Sequence, residues 1–159
     1  MQVDMLMFAD AATDREGLLN VIGGGLDSFT VMPPDANGPT TLTRPDGTEA
    51  KIVGRPMHFN LVIRVSERPT EPVTNRQVVV RIVEQDGALM SEMPLHVRME
   101  TNPNRPKGWD RRANILLHIE ALPTALGEHR LDVDTDGKTL ASIQFRILKP
   151  KMQVSFRPN

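Results

Sequence analysis

Large apolar residues in this chain recur at every second position, and no window sustains helical spacing. The cleanest run is His58 to Arg68, where Phe59, Leu61, Ile63 and Val65 share one face. His58, Asn60, Arg64 and Ser66 occupy the other, with Val62 the exception. A period of two is the geometry of a strand with one buried side. The expectation is therefore an all-β chain.

The same alternation continues downstream. Gln77 to Gln85 and Leu89 to Glu100 flank the turn pair Asp86-Gly87, with Leu95, Val97 and Met99 on one face. Pro94 points to an edge strand or a break, because proline has no N–H for a ladder. Asn114 to Leu122 alternates through Ile115, Leu117 and Ile119, and Pro123 to Gly127 makes a corner. Glu128 to Asp134 and Thr139 to Leu148 form a hairpin across Thr135-Asp136-Gly137, setting Leu131 and Val133 against Ile143, Phe145 and Ile147. Seven to nine strands at even spacing predict an immunoglobulin-like two-sheet antiparallel sandwich. The sandwich domain spans 1–148, and 149–159 is a tail or, through Met152 to Phe156, an added edge strand. Between Pro33 and Pro56, five prolines and three glycines mark a long, partly ordered connection, with short strands at Thr40–Thr43 and Lys51–Val53 around Pro45-Asp46-Gly47.

The opening has its own punctuation. Gln2 to Ala9 reads as a strand, with Val3, Met5 and Met7 facing one way and Leu6 and Phe8 the other. Asp14 to Gly17 turns the chain and Leu18 to Ile22 returns. Gly23-Gly24-Gly25 then marks a bulge or a crossing between sheets, after which Phe29 and Val31 point inward. The pattern Ala-Asp-x-Ala at Ala9 to Ala12, followed by Gly17-x-Leu-Asn-Val-Ile-Gly-Gly-Gly25, resembles an uncharacterised actinobacterial domain-of-unknown-function family of small β-sandwich proteins. The run from Leu122-Pro123 through Phe145-Arg146-Ile147 resembles the final hairpin of immunoglobulin-like and fibronectin-like sandwiches. Both resemblances imply architecture and assign no activity.

Composition narrows the function classes. A net charge of −1 disfavours a chain built to bind nucleic acid or an anionic membrane surface. Without cysteine there is no disulfide framework, thiolate metal site or cysteine nucleophile. Asp4 and Asp10 bracket the short apolar run Met5 to Ala9, so neither a secretory leader nor a membrane span is expected and the reading is cytoplasmic. Nine methionines supply bulk that aromatic residues usually provide, chiefly as core fillers.

Candidate chemistry is sparse. His118 and Glu120 share a strand face, but metal sites need three or four converging ligands. His58, His96 and His129 likewise read as solvated strand residues, and no metal or cofactor is expected. None of Ser28, Ser66, Ser91, Ser142 or Ser155 stands in a G-x-S-x-G elbow. Asp132, Asp134 and Asp136 have the oxygen chemistry for calcium, yet read first as the solvated face and turn of a hairpin. The glycine run lacks the lysine and helix of a phosphate loop.

The loop Thr101 to Arg112 stands apart, gathering Arg105, Lys107, Arg111 and Arg112 around the sole tryptophan, Trp109. Trp and Arg dominate binding hot spots because each joins large contact area to directional polar groups. Two readings stand side by side: a partner-binding loop, or a solvated loop whose tryptophan caps the sandwich end. The expectation is a non-enzymatic protein-binding or assembly module, its partner another protein or a second copy. The alternative is a small-ligand binder or hydrolase using His58, His96, His118, Glu120 or Asp132.

Overall fold

The computed structural model describes residues 1–101 and 106–150. It is all-β, with twelve strands where the sequence suggested seven to nine. In chain order they are β1 (Gln2–Ala9), β2 (Ala11–Arg15), β3 (Leu18–Ile22), β4 (Ser28–Thr30), β5 (Thr41–Thr43), β6 (Glu49–Lys51), β7 (Met57–Glu67), β8 (Asn75–Glu84), β9 (Leu89–Arg98), β10 (Arg111–Ala121), β11 (Gly127–Thr135) and β12 (Lys138–Leu148). The larger number comes from β2, which was not anticipated, and from β5 and β6, the short strands read at Thr40–Thr43 and Lys51–Val53, of which the second lies at Glu49–Lys51. The proposed edge strand at Met152–Phe156 lies outside the described residues.

One sheet has the order β1-β7-β10 and another β4-β12-β11-β8-β9; β2-β3 and β5-β6 form two-stranded ribbons. Pairing is antiparallel except for the short parallel contact of β4 with β12. Inward residues of both larger sheets enter one apolar core: Leu61, Ile63 and Val65 from one, and Val78, Val80, Ile82, Leu131, Val133 and Ile147 from the other. Each such side chain contributes about 1.5–3 kcal/mol by leaving water. Phe8, Phe29, Phe59 and Phe145 meet within this core, with Phe8 edge-on to the other three at 5.1 Å between centroids. Met57, Met90 and Met99 are buried there and Met1 and Met93 pack partly against it, whereas Met32 is exposed and Met5 and Met7 lie outside the core, so methionine fills the core less generally than expected.

The opening departs from the simple hairpin read in the sequence. β1 pairs with the distant β7, while Leu18–Ile22 pairs with β2, a strand not anticipated. A register shift between Val3 and Met5 inserts Asp4 as an extra residue and reverses the alternation. Val3 therefore packs on the core with Leu6 and Phe8, and does not share a face with Met5 and Met7 as expected. The glycine run carries the chain from β3 to β4 on the other sheet. Gly23 takes φ +61°, which favours glycine, and a Cβ there would oblige the Asp10 side chain to turn away.

The 33–56 connection is docked against the protein. Ala50 and Ile52 are buried, and the Val53 amide donates to Pro123 O at 2.9 Å. Gly54 lies so close to Val31 that an added Cβ would be 2.9 Å from its side chain. Among the described residues no helix is long and apolar enough to cross a membrane.

Candidate functional site

Trp109 lies on the short segment entering β10. The Trp109 amide donates to Pro106 O at 3.3 Å across a turn in which Gly108 takes φ +90°. Two residues later the strand begins at Arg111, so the loop leaves from a fixed point. Trp109 is 62% exposed and does not enter the core, which sets aside the capping reading. It borders an open groove of about 450 Å³, shared with Pro69, Glu100 and the β2–β3 turn at Glu16-Gly17. Lys107 and Arg112 also line it, alongside Glu100, Glu16 and Asp110, so its charge is mixed. Arg105 lies outside the described residues.

Arg111 differs from its neighbours. It is 7% exposed and turned into the protein, although the sequence grouped it with the exposed cations. Its Nη2 donates to Glu67 Oε2 at 3.0 Å, and its Nη1 to the Glu71 carbonyl at 3.0 Å. Glu67 Oε1 accepts from Arg76 Nε at 2.6 Å, and that hydrogen bond holds the Arg76 guanidinium above its ordinary pKa despite the opposing effect of burial. Glu67 follows Phe59, Leu61, Ile63 and Val65 in the inward phase of β7, which places a carboxylate at the end of the core. A buried carboxylate needs partners of opposite charge. The sequence supplied the signal, a charged residue continuing an apolar phase, and it was missed. Arg111 is thus a positioning residue: one guanidinium fastens the start of β10 to the 68–74 loop, and so sets two walls of the Trp109 groove.

The other candidates are distributed over the fold. His58, Asn60, His118 and Glu120 meet on the outer face of the three-stranded sheet, because β7 pairs His58 with Glu120 and Asn60 with His118. The imidazoles stack at 5.8 Å, His118 Nδ1 is 3.2 Å from Asn60 Oδ1, and His58 Nδ1 is 4.0 Å from Glu120 Oε2. His96 is on β9, in the other sheet. His129, expected on a solvated face, is buried with its ring 5.3 Å from Phe145 and its Nδ1 3.1 Å from Gly127 O. Among the described residues no group of three His, Asp or Glu side chains could hold a metal ion.

Asp132 and Asp134 are also buried and not solvated; Asp132 is covered by Arg130 of its own strand and Ser142 of β12, and Asp134 by Arg81 of β8. Asp132 accepts from Arg130 Nε at 2.9 Å and Ser142 Oγ at 2.6 Å. Asp134 pairs with Arg81, whose Nε donates to Glu92 at 2.7 Å. The hydrogen bond to Glu92, with further charge from Asp134 and against desolvation, raises Arg81 above its ordinary pKa. Ser66 and Ser142 donate to the carboxylates of Asp4 and Asp132. These are the bonds of a structural polar face.

No family model matches this chain, and no curated protein matches it in sequence.

Proposed function

We propose that this protein is a non-enzymatic binding or assembly module that docks another protein through the Trp109 groove. The observation carrying this reading is a tryptophan left mostly in solvent at the rim of a groove whose walls are fastened by a buried ion pair. Exposing an indole is unfavourable in water, and covering it against a partner recovers that free energy. Lys107 and Arg112 flank it as polar contacts; Arg105 belongs to the same loop in sequence. Arg111 acts from beneath, as anchor. The reading includes an immunoglobulin-like two-sheet arrangement, supported by the single core that the three- and five-stranded sheets share, and a cytoplasmic setting. The ligand-binding or hydrolytic alternative draws less support: His58, His118 and Glu120 stand together on an open face, while His96 and Asp132 lie on other strands.

The test is affinity capture from the native host with wild type and with Trp109→Ala/Lys107→Ala, after matching their thermal melts. The expected result is one stoichiometric partner with wild type that is lost with the variant. Retention of that partner by the variant, or no stoichiometric partner with either bait, overturns the reading.

A further inference from the structure

The two larger sheets have four outer edges: β1, β10, β4 and β9. Exposed edges invite pairing with other chains, and folds blunt them with bulges, prolines or short strands. β1 carries the bulge at Asp4, β4 has only three residues, and β9 carries Pro94 and a bulge beside Leu89. β10 carries none of these. It runs for eleven residues in unbroken register with β7, contains no proline, and no described strand pairs with its other side. Ile115, Leu116 and Leu117 at its centre are only partly buried.

We propose that β10 pairs antiparallel with β10 of a second copy, about a twofold axis through Leu116. The argument is complementarity along the strand. Antiparallel partners lie directly opposite and share a face. Centring on Leu116 sets Arg112 against Glu120 of the second copy, and does so twice. It sets Ile115 against Leu117 on the core face, and on the other face places Asn114, whose amide is already held by Arg64 and Asp14, opposite His118, so that the charge match rests on Arg112 and Glu120. Moving the centre by one residue places Arg112 opposite His118 or Leu122, and the charge match is lost. Arg112 and Glu120 are both available: their side chains are 50% and 64% exposed, with only loose internal neighbours at Asp4 (3.7 Å) and His58 (4.0 Å). The product is a continuous sheet β1-β7-β10-β10-β7-β1, with identical patches meeting across the axis. This inference goes beyond the Trp109 reading, shares only Arg112 with it, rests on the unblunted edge of β10, and names the partner as this chain itself.

Sedimentation velocity on the full chain tests it, at concentrations up to roughly 300 µM, the range of a weak specific contact. Wild type is expected to reach twice the 17.7 kDa chain mass. Glu120→Arg, which sets like charges opposite each other twice, should weaken the dimer about tenfold, and Arg112→Glu/Glu120→Arg should restore it. Because the chain has no cysteine, register can be read directly. Leu116→Cys lies opposite itself and should oxidise to a covalent dimer, whereas Glu120→Cys should not. A monomer throughout with no Leu116→Cys cross-link overturns the proposal. So does a dimer indifferent to Glu120→Arg, equal cross-linking at both positions, or a dimer abolished by Trp109→Ala. Loss of partner capture by the Trp109 variant with this dimer intact would support both readings separately.

Discussion

The two ends of the apolar core are closed by the same residue type in different ways. At one end Glu67 finishes the inward phase of β7, and at the other Glu84 finishes that of β8. Glu67 receives two guanidinium groups, from Arg76 on β8 and Arg111 on β10. Glu84 receives one, from Arg44 at 2.8 Å, together with the hydroxyl of Thr124. Arg44 belongs to the turn between β5 and β6, and Thr124 to the corner after β10. Strands supply one end and loops the other. The Glu67 end therefore braces the framework, while the Glu84 end fastens the long Pro/Gly connection onto it. Each end leaves one buried guanidinium Nε without a hydrogen-bond partner among the described residues, Arg111 Nε at the Glu67 end and Arg44 Nε at the Glu84 end, and His129 Nε2 adds a second beside Glu84.

This contrast can be broken most sharply at Glu67. Glu67→Ala leaves Arg111 buried without its countercharge and should cost about 3–5 kcal/mol by denaturant unfolding. A loss below about 1 kcal/mol would reduce the Glu67 end to an ordinary surface pair. Arg44→Ala should cost less, about 1–3 kcal/mol, and should speed hydrogen exchange at the Ile52 amide, which donates to Thr40 O at 2.9 Å. Unchanged exchange there would mean that burial of Ala50 and Ile52 holds the connection without the tether.

The smallest effect concerns Asp46, at the turn that presents Arg44. Its carboxylate accepts from the Thr48 hydroxyl at 2.7 Å and the Thr48 amide at 2.9 Å, which hold its pKa below the ordinary 3.8. A carboxyl whose folded pKa is depressed stabilises the fold above its unfolded value and loses that contribution as pH falls through the folded one. The turn should therefore loosen only in acid below about pH 3.8, as followed by the Thr48 amide resonance. A midpoint at or above 3.8 would contradict the geometry.

Much of the framework was legible in the residues. β7, β8, β9, β11 and β12 are long enough for alternation to declare itself, and Pro94 rightly marked an edge. What escaped has a common cause. The phase of Val3 depends on one inserted residue, which no local pattern reports. The burial of Asp132, Asp134, His129 and Arg111 depends on what neighbouring strands lay over them, and those neighbours are set by topology. Polarity alone predicts solvent, and it fails where register supplies a countercharge. The Trp109 loop was visible as composition, but which of its cations faces outward was not. The exposed cluster of His58 and His118 shows the same gap, since only the pairing of β7 with β10 brings the two rings together.

The position of β7 has a consequence for the chain's entropy. Asn60 bonds to Asp10 and Arg64 to Asn114, each 50 residues away, one toward each end of the chain. Closing such a loop costs about 2 kcal/mol more than closing a four-residue hairpin, by the logarithmic dependence on loop length. The hairpins β8–β9 and β11–β12 close over short turns and largely avoid that cost. The central strand of the three-stranded sheet thus joins two long closures, and the edge at β10 exists only once the second of them has been made.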